Sequence, residues 1–340
     1  MVDSGCTQRR FGRASLRRSC RDAPPAVRRT HRRSCARGTE VSFRAAVLVI
    51  AHHQPEVFAA LVDSLRHPSI DVYVHIDAKA DLASFEAVVP EGDGVSYVRD
   101  RSFVNWGGLS IVHVILRLIR EARSSGNAYQ RYALLSGSDL LIAPIDEVLA
   151  AWQSSIEFIR IDWRLTGPDA QRTNLVDRRH FPDDRLPLRA RLSGRIPRKV
   201  NPTIELYQGS TWWALTAGAV DQVIGFIAEH PRWLDFHRHT LCSDEIVFHS
   251  ILKASPHASR IVQDVEQCAD ADAFIADPVH ALHYIDWSDR TALSPRVFGI
   301  DDEPTLRRSP ALFARKVDTT SMTLIDAFAV RQAHHSDSPR

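Results

Sequence analysis

The sequence predicts an α/β fold in which a mixed, mostly parallel central sheet is flanked by helices. Short runs rich in Val, Ile and Leu alternate, through the first half of the chain, with longer segments whose apolar residues recur at helical spacing. Strands that alternate with helical segments are typical of parallel strands joined by crossover helices. The chain has 340 residues and is 44% hydrophobic, which is enough for a substantial buried core.

The predicted elements start at Ala45. Residues 45–50 form an uninterrupted apolar run typical of a buried strand, and the helical spacing of Val57, Leu61 and Leu65 predicts the first helix. In chain order, the further predictions are strands within 71–79 and 95–100, a helix over 109–123, a strand and turn over 131–139, a helix over 145–153, a strand over 156–162, a strand and helix within 209–230, a helix within 241–252, a strand within 279–287 and a helix over 322–330.

The N-terminal residues differ in composition from the rest. Residues 1–44 contain twelve arginines but only Asp3, Asp22 and Glu40 as acids, with few large apolar side chains. We predict a disordered basic arm over 1–43, because so little apolar surface cannot offset the entropy lost on ordering. A tether to nucleic acid or an anionic membrane, a transit peptide, and a translated stretch ahead of the true start remain open as explanations.

Several classes of protein are disfavoured by what the sequence lacks. It has no run of about 20 apolar residues, no zinc or disulfide pattern around Cys242 and Cys268, and no glycine-rich phosphate loop. These features argue against a membrane-spanning protein, a P-loop kinase and a Rossmann dehydrogenase. We expect a cytoplasmic protein, with peripheral association at the inner membrane face as a further possibility.

Polar residues that could bind a ligand follow three of the predicted strands. His52 and His53 follow the first strand, Asp77 follows the second, and Asp139 lies in the turn after the strand at 131–136. Each could be a simple turn former. Since ligands of open α/β sheets bind beyond the carboxyl ends of the strands, the three together indicate one cleft.

Two further stretches carry charges that suit group transfer. Arg315 and Lys316 are flanked by apolar residues and could together bind a diphosphate, although a solvated pair is the alternative. In "LCSDEIVFHSIL", Ser243 is expected to cap a helix and Asp244 to support its first turn. There the helix dipole would lower the pKa of Glu245 and keep its carboxylate ready to accept a proton.

Eight blocks of this sequence, within residues 45–330, resemble the core-2/I-branching glycosyltransferase family. They are "VIAHHQPE", "VYVHIDAK", "VNWGGLSIV", "LLSGSDLLI", "GSTWWALT", "SDEIVFHSIL", "YIDW" and "LFARKVD", and they occur in the family's order. The resemblance implies a GT-A type fold, a UDP-sugar donor and inversion at the anomeric carbon. It also implies one catalytic domain over 44–332, with a nucleotide-binding half (44–163), a variable loop region (164–202) and an acceptor and catalytic half (203–332), followed by a frayed tail (333–340).

The resemblance also implies roles for individual residues. Glu245 matches the general base, His52 and Asp77 match the donor-binding positions, and Arg315 and Lys316 match the basic pair that neutralises the leaving diphosphate. Positions expected to bind the acceptor or line the site are Trp106, Asp139, Gly209, Ser210, Trp213, Asp244 and Trp287.

We expect no divalent metal cofactor, because Arg315 and Lys316 would supply the positive charge that a metal supplies in most transferases of this fold. Asp270 and Asp272 form an Asp-x-Asp pattern, but it comes late in the chain and is interpreted as a surface turn. His52, His53 and His75 could suggest a transition-metal site. Neighbouring residues on a strand-like segment point to opposite sides, which argues against it. Arg296 is a candidate for an additional cation.

The leading hypothesis is an inverting transfer of N-acetylglucosamine from a UDP-sugar to a hydroxyl of a glycan or glycoconjugate acceptor. A protein O-xylosyltransferase that uses UDP-xylose is the alternative within the class. A basic-armed nucleic-acid-binding protein is a remote alternative, since the arm lacks interleaved aromatic residues. A catalytically inactive relative that binds sugar nucleotides is a further one.

Overall fold

The computed structural model describes residues 42–184, 186–289 and 291–336, in which strands and helices alternate much as the sequence predicts. The strands are β1 (Ala45–Ala51), β2 (Ile70–Ile76), β3 (Val95–Tyr97), β4 (Arg131–Ser136), β5 (Asp139–Leu141), β6 (Glu157–Arg164), β7 (Arg178–Arg179), β8 (Ile196–Pro197), β9 (Tyr207–Gly209), β10 (Ala214–Thr216), β11 (Ile261–Asp264), β12 (Val279–His280), β13 (His283–Ile285) and β14 (Phe313–Arg315). The helices are α1 (Pro55–Ser64), α2 (Leu82–Val88), α3 (Leu109–Ser124), α4 (Ile145–Trp152), α5 (Pro187–Leu192), α6 (Ala217–Glu229), α7 (Arg232–His237), α8 (Val247–Lys253), α9 (Ala271–Ala276), α10 (Glu303–Arg308) and α11 (Met322–Ser336).

The arm that is predicted to be disordered spans residues 1–43. Of these, residues 1–41 lie outside the described residues. At the other end, α11 continues to Ser336, four residues beyond the predicted domain boundary at 332. The rest of the predicted tail, residues 337–340, is outside the described residues. No helix within the described ranges has the length and apolar character needed to cross a bilayer.

A mixed sheet forms the centre of the molecule. Among the described residues its strand order is β11–β6–β10–β4–β1–β2–β3, and β9 pairs with β6 as well. The neighbours β4, β1, β2 and β3 are parallel, as are β6 and β11. Strands β9 and β10 run antiparallel to their partners. The predicted mixed, mostly parallel sheet is therefore confirmed.

Helices cover both faces of this sheet, which explains why β1 is apolar throughout. Ala46, Leu48 and Ile50 face a core that contains the apolar residues of α3 and α8. The alternate residues of β1 face a second core, built with α1, α2 and α4. Because successive side chains of a strand point to opposite faces, a strand covered on both sides needs apolar residues at every position.

A buried arginine connects the middle of the sheet to the helix layer. Arg131 of β4 donates hydrogen bonds to the carbonyl oxygens of Trp152, Ser154, Ile156 and Ala214, at 2.6–3.0 Å. Burial lowers the pKa of its guanidinium to about 10. The four acceptors lie on α4, the turn before β6, and β10, so this side chain fixes that turn to the sheet.

A smaller sheet carries Arg315 and ends directly before Lys316. Its order among the described residues is β12–β13–β14–β5, and the pairing of β14 with β5 places Arg315 opposite Asp139. The sequence predicts a single strand within 279–287, whereas the structure has two. The reason is local, because Ala281 has a left-handed φ of 55° that ends β12 and turns the chain back into β13.

Candidate active site

The carboxyl ends of three neighbouring strands meet at one edge of the main sheet. Strand β1 lies between β2 and β4, with Ala51 opposite Ile76 and Ile50 opposite Ser136. His52 and Asp77, which follow β1 and β2, therefore lie at the same edge. The predicted adjacency of these strand ends is confirmed.

Asp77 is almost fully buried and organises the turn after β2. Its carboxylate accepts hydrogen bonds from the backbone N–H of Lys79, at 2.8 Å, and of Val104, at 3.3 Å, and Lys79 Nζ lies 3.3 Å away. Its negative charge also favours the charged form of His52. Asp77 thus holds two loops together beside His52.

The two histidines after β1 lie on the same side of the chain. The ring centroids of His52 and His53 are 4.1 Å apart, which contradicts the prediction that they point to opposite sides. The reason is that β1 ends at Ala51 and the chain bends at His53, so strand geometry no longer applies. Burial, more than any other effect, lowers the pKa of both imidazoles, and the positive charge of Lys316 lowers it further.

Arg315 is held rigidly at the end of β14. Its Nη1 donates to Asp139 Oδ1 at 2.8 Å, and its guanidinium lies 4.4 Å from the centre of the Trp212 ring. Asp139 also accepts hydrogen bonds from the Ser136 N–H, at 2.7 Å, and contacts His283 Nε2, at 3.1 Å. The expectation that Asp139 lines the site is wrong, because its side chain is fully buried and acts as the anchor of Arg315.

Lys316 extends the positive charge towards the histidines. Its charge acts on both His52 and His53, which places it near the end of β1. The side chain is partly accessible, and among the described residues it forms no ion pair. Lys316 is therefore free to bind an anionic ligand at this edge.

The carboxylate pair lies in a short 3₁₀ turn rather than in the first turn of an α-helix. The turn spans Ser243–Glu245, and helix α8 begins only at Val247. Cys242, with a left-handed φ of 54°, precedes the turn. The prediction that Ser243 caps the helix is wrong, since its buried hydroxyl has no hydrogen-bond partner within the described part of the chain.

The protonation of Glu245 also differs from the prediction. Burial, together with the negative charge of Asp244, raises the pKa of Glu245 to about 8, although Arg172 opposes this change. The expected lowering by a helix dipole does not occur, because α8 starts beyond the carboxylate and the side chain has lost much of its hydration. Burial likewise raises the pKa of Asp244.

One short segment, residues 208–212, contacts both the carboxylates and the cation. Gln208 Nε2 donates to Glu245 Oε2 at 2.6 Å, and Thr211 Oγ1 donates to Asp244 Oδ2 at 2.8 Å. Trp212 provides the ring over which the Arg315 guanidinium lies. Arg315 and the carboxylate pair, which are 70 residues apart in sequence, are therefore both contacted by this one segment.

Gly209, Ser210 and Trp213, which are predicted to line the site, act mainly in packing. A Cβ added to Gly209 would lie 1.7 Å from the carbonyl oxygen of Arg160, so only glycine allows β9 to approach β6. The Ser210 carbonyl oxygen lies 2.8 Å from His249 Nε2. Trp213 is fully buried, 5.3 Å from the Phe248 ring centre, and the expectation that it lines the site is wrong. Its neighbour Trp212 lies at the site instead.

Two tryptophans that are predicted to bind the acceptor or line the site have exposed side chains. Trp106 is 74% exposed, in a loop whose Gly107 carbonyl accepts a 2.9 Å hydrogen bond from the Cys242 N–H, so this loop adjoins the carboxylate turn. Trp287 is 42% exposed and follows β13. Arg296, suggested as an additional cation, forms ion pairs with Asp286 and Asp302 instead.

The sequence analysis did not predict two residues near Glu245, the aromatic Trp163 and the cationic Arg172. Trp163 of β6 pairs in register with Gln208, and the Arg172 guanidinium lies 5.9 Å from the centre of its ring. Backbone hydrogen bonds fix the loop that carries Arg172 to Arg164 on one side and to Leu241 on the other. The alternation of side-chain direction along β6 could have indicated Trp163 as a site residue. No local sequence pattern indicates that the chain brings Arg172 close to Glu245.

Within the described ranges, no group of three or more His, Cys, Asp or Glu side chains is arranged to hold a metal ion. Asp270 accepts a 3.0 Å hydrogen bond from the Ala273 N–H and caps α9, and both Asp270 and Asp272 are exposed. The predicted surface position of this Asp-x-Asp pattern is confirmed, but the predicted turn is wrong, because the two aspartates lie at the start of helix α9.

Comparison with known proteins gives a family for the chain. Xylosyltransferase 2 of Rattus norvegicus is 23% identical over 288 residues, and that of Homo sapiens 24%, each match covering 82% of this chain. Xylosyltransferase oxt of Drosophila melanogaster is 24% identical over 276 residues, or 76% of this chain. The chain spans about a third of the length of these relatives, 30–32%.

The family model described as "Core-2/I-Branching enzyme" matches residues 46–303, which includes the strand-end cleft and the carboxylate turn, while Arg315 and Lys316 lie beyond the matched range. This match agrees with the resemblance found in the sequence, and the mixed sheet flanked by helices is consistent with the GT-A type fold. The chain therefore belongs to the Core-2/I-Branching enzyme family.

Proposed function

We propose that this chain is an inverting glycosyltransferase that moves a sugar from a UDP-sugar to a hydroxyl of a glycan acceptor. One observation carries the proposal: the short segment 208–212 contacts both a carboxylate of raised pKa, through Gln208, and an arginine, through Trp212. The family assignment and the names of the relatives, which are xylosyltransferases, support the same class of reaction.

In the proposed reaction, the acceptor hydroxyl oxygen attacks the anomeric carbon as the bond from that carbon to the diphosphate oxygen breaks. The hydroxyl proton passes to Glu245, and the electron pair of the broken bond leaves with UDP. Arg315 and Lys316 stabilise the negative charge that develops on the diphosphate. A single base and a cationic site are sufficient for one displacement, which inverts the configuration of the sugar.

The assignment of the remaining residues follows their positions. His52 and Asp77, at the ends of β1 and β2, are proposed to contact the donor, in keeping with ligand sites at the carboxyl edge of α/β sheets. Trp106 and Trp287 are exposed and are proposed to contact the acceptor. We further propose that no divalent metal is required, because Arg315 and Lys316 supply positive charge where the diphosphate leaves.

The donor sugar has two candidates. N-acetylglucosamine is the one favoured from the sequence, whereas the names of the relatives favour xylose. Identities of 23–24% leave room for a change of donor, so both UDP-sugars belong in the same assay.

The test measures UDP release from a panel of UDP-sugars, with and without EDTA, for the wild type and Glu245→Gln. Glu229→Gln, the same change at an exposed residue of α6, is the matched control. We expect Glu245→Gln to lower turnover by about 10²–10⁴-fold, and Glu229→Gln and EDTA to leave it unchanged.

Turnover retained by Glu245→Gln would exclude this residue as the base. Loss of turnover with EDTA would contradict the cationic mechanism. Donor binding without any turnover by the wild type would favour the catalytically inactive relative.

A further inference from the structure

The segment 186–199, here called the leucine–arginine segment, exposes an unusual concentration of apolar surface. Leu186, Leu188 and Leu192 are 57%, 68% and 36% exposed. Leu188 and Leu192 are four residues apart in α5 and lie on one face of it. Other exposed large apolar residues of the described ranges are distributed over the molecule, whereas these three fall within seven positions. A local concentration of exposed apolar side chains indicates an interaction site.

The same segment is strongly basic. Between residues 186 and 199 the sequence has five cations and no acidic residue. Arg191, Arg195 and Lys199 are exposed, and among the described residues they form no ion pair. Arg189 is paired with Asp184 at 2.6 Å. The surface therefore combines leucines with unpaired positive charges, which complements a surface that is apolar inside and anionic outside.

The segment is fixed to the fold at its base. Strands β7 and β8 pair Arg179 with Ile196, and the Gly194 N–H donates to the Arg179 carbonyl oxygen at 2.9 Å. Arg198 is half-buried and donates hydrogen bonds to the carbonyl oxygens of Val176 and Phe236. Little ordering is needed for this surface to bind, because its backbone is already held in place.

The leucine–arginine segment lies beside the candidate active site. Asp183, three residues before it, accepts hydrogen bonds from Ser110, at 2.6 and 3.1 Å, and from Asn105 Nδ2, at 3.2 Å. The loop that starts at Asn105 carries the exposed Trp106 and adjoins the turn that holds Glu245. Tryptophan is a side chain that favours the boundary between lipid and water.

We propose that the leucine–arginine segment, together with Trp106, docks the protein on a membrane surface that contains anionic phospholipids. The leucines enter the boundary between headgroups and acyl chains, and the arginines bind phosphate groups. The orientation brings the mouth of the site towards the membrane, so the acceptor is a glycan carried by a lipid. The docking stands independently of the proposed function, whereas the class of acceptor rests on it.

The experiment uses the full chain and measures co-sedimentation with phosphatidylcholine vesicles, with and without phosphatidylglycerol. The test variants are Leu188→Ser/Leu192→Ser and Arg191→Gln/Arg195→Gln. The matched controls are Leu293→Ser, at an exposed leucine, and Arg260→Gln/Arg308→Gln, at exposed arginines outside the segment. The arginine-rich N-terminal residues are the same in every variant, so a difference in binding between variants arises from the substituted residues.

We expect binding to the anionic vesicles, weakened at least tenfold by either test variant and by neither control; the loss of one surface cation weakens such binding about fivefold. Equal binding by test and control variants, or no binding to anionic vesicles, would overturn the proposal. So would dimerisation that the leucine variant abolishes in sedimentation velocity, since the surface would then bind a second copy. UDP release in solution should be the same for all variants. This second measurement separates failure of the membrane-docking proposal from failure of the proposed function.

Discussion

The raised pKa of Glu245 makes the proposed chemistry depend on pH. A base must be deprotonated to accept the acceptor's proton, and below its pKa of about 8 the Glu245 carboxyl holds a proton already. We therefore expect kcat/KM for UDP release to rise about tenfold per pH unit below pH 8 and to level off above it. A profile that stays flat through this range would show that Glu245 does not act as the base in the free enzyme.

Arg172 provides a variant for this prediction, because its charge lowers the pKa of Glu245. Arg172→Gln should shift the rising limb of the profile to higher pH. Arg178→Gln, at an exposed arginine of the same loop region that pairs with Asp177, is the control and should leave the limb in place. The two profiles together separate an electrostatic effect on the base from a general disturbance of the loop.

Loss of Asp139 should disturb the position of Arg315, because Asp139 is the ion-pair partner of this arginine. Burial would raise the pKa of Asp139, but its interactions with His283, Arg315 and the Ser136 N–H outweigh this effect and lower the pKa. Asp139→Ala leaves Arg315 without its partner in a buried setting, which should lower the free energy of unfolding by about 3–5 kcal/mol. Urea denaturation measures this, with Asp63→Ala, from an exposed pair with Arg66, as a control expected within about 1 kcal/mol.

At the scale of elements, the pairing of β9 with β6 depends on a single glycine. Gly209→Ala would place a Cβ against the backbone of Arg160, so we expect a loss of about 3 kcal/mol or more in unfolding free energy. Gly225→Ala, inside α6 where no atom lies within 4 Å, should instead be stabilising by about 1 kcal/mol. Thermal unfolding of the two variants distinguishes them, and equal stability would contradict the close approach of the strands.

The sequence predicts those parts of the fold that depend on local periodicity. The apolar run of β1 and the helical spacing in α3 gave the right elements, and the strand ends gave the cleft with His52 and Asp77. Contacts made at long range were missed. Asp139 follows a strand as a site residue would, but its environment is set by β13 and β14, about 145 and 175 residues later.

The same limit explains the errors around Glu245. Helix-start preferences describe isolated helices, in which a serine cap and the dipole dominate. Here Gln208 donates to the Glu245 carboxylate, and Asp244, which accepts a hydrogen bond from Thr211, adds a nearby negative charge, so burial and charge repulsion decide the pKa of Glu245 instead. Tertiary contacts of this kind leave no periodic pattern in the sequence.

At the scale of the whole molecule, the family match and the described fold both lie within residues 42–336. The hydrophobic cores are built from residues of this range. Deletion of residues 1–41 should therefore leave UDP release unchanged. Electrophoretic mobility shifts with DNA and RNA, measured on the full and shortened chains, check the nucleic-acid alternative. Loss of UDP release on deletion would show that the arm takes part in catalysis.

The segment 208–212 also has a consequence for how such an enzyme can diversify. Gln208 contacts the proposed base, Glu245, and Trp212 contacts the cation Arg315. Because Gln208 and Trp212 are only four residues apart in the chain, this short segment limits the distance between the base and the cation. Region 164–202 contributes Arg172 and the docking surface but no part of this spacing. Exchange of that region between related enzymes should therefore change the docking surface and the charge that Arg172 places near Glu245, while the link through residues 208–212 is retained.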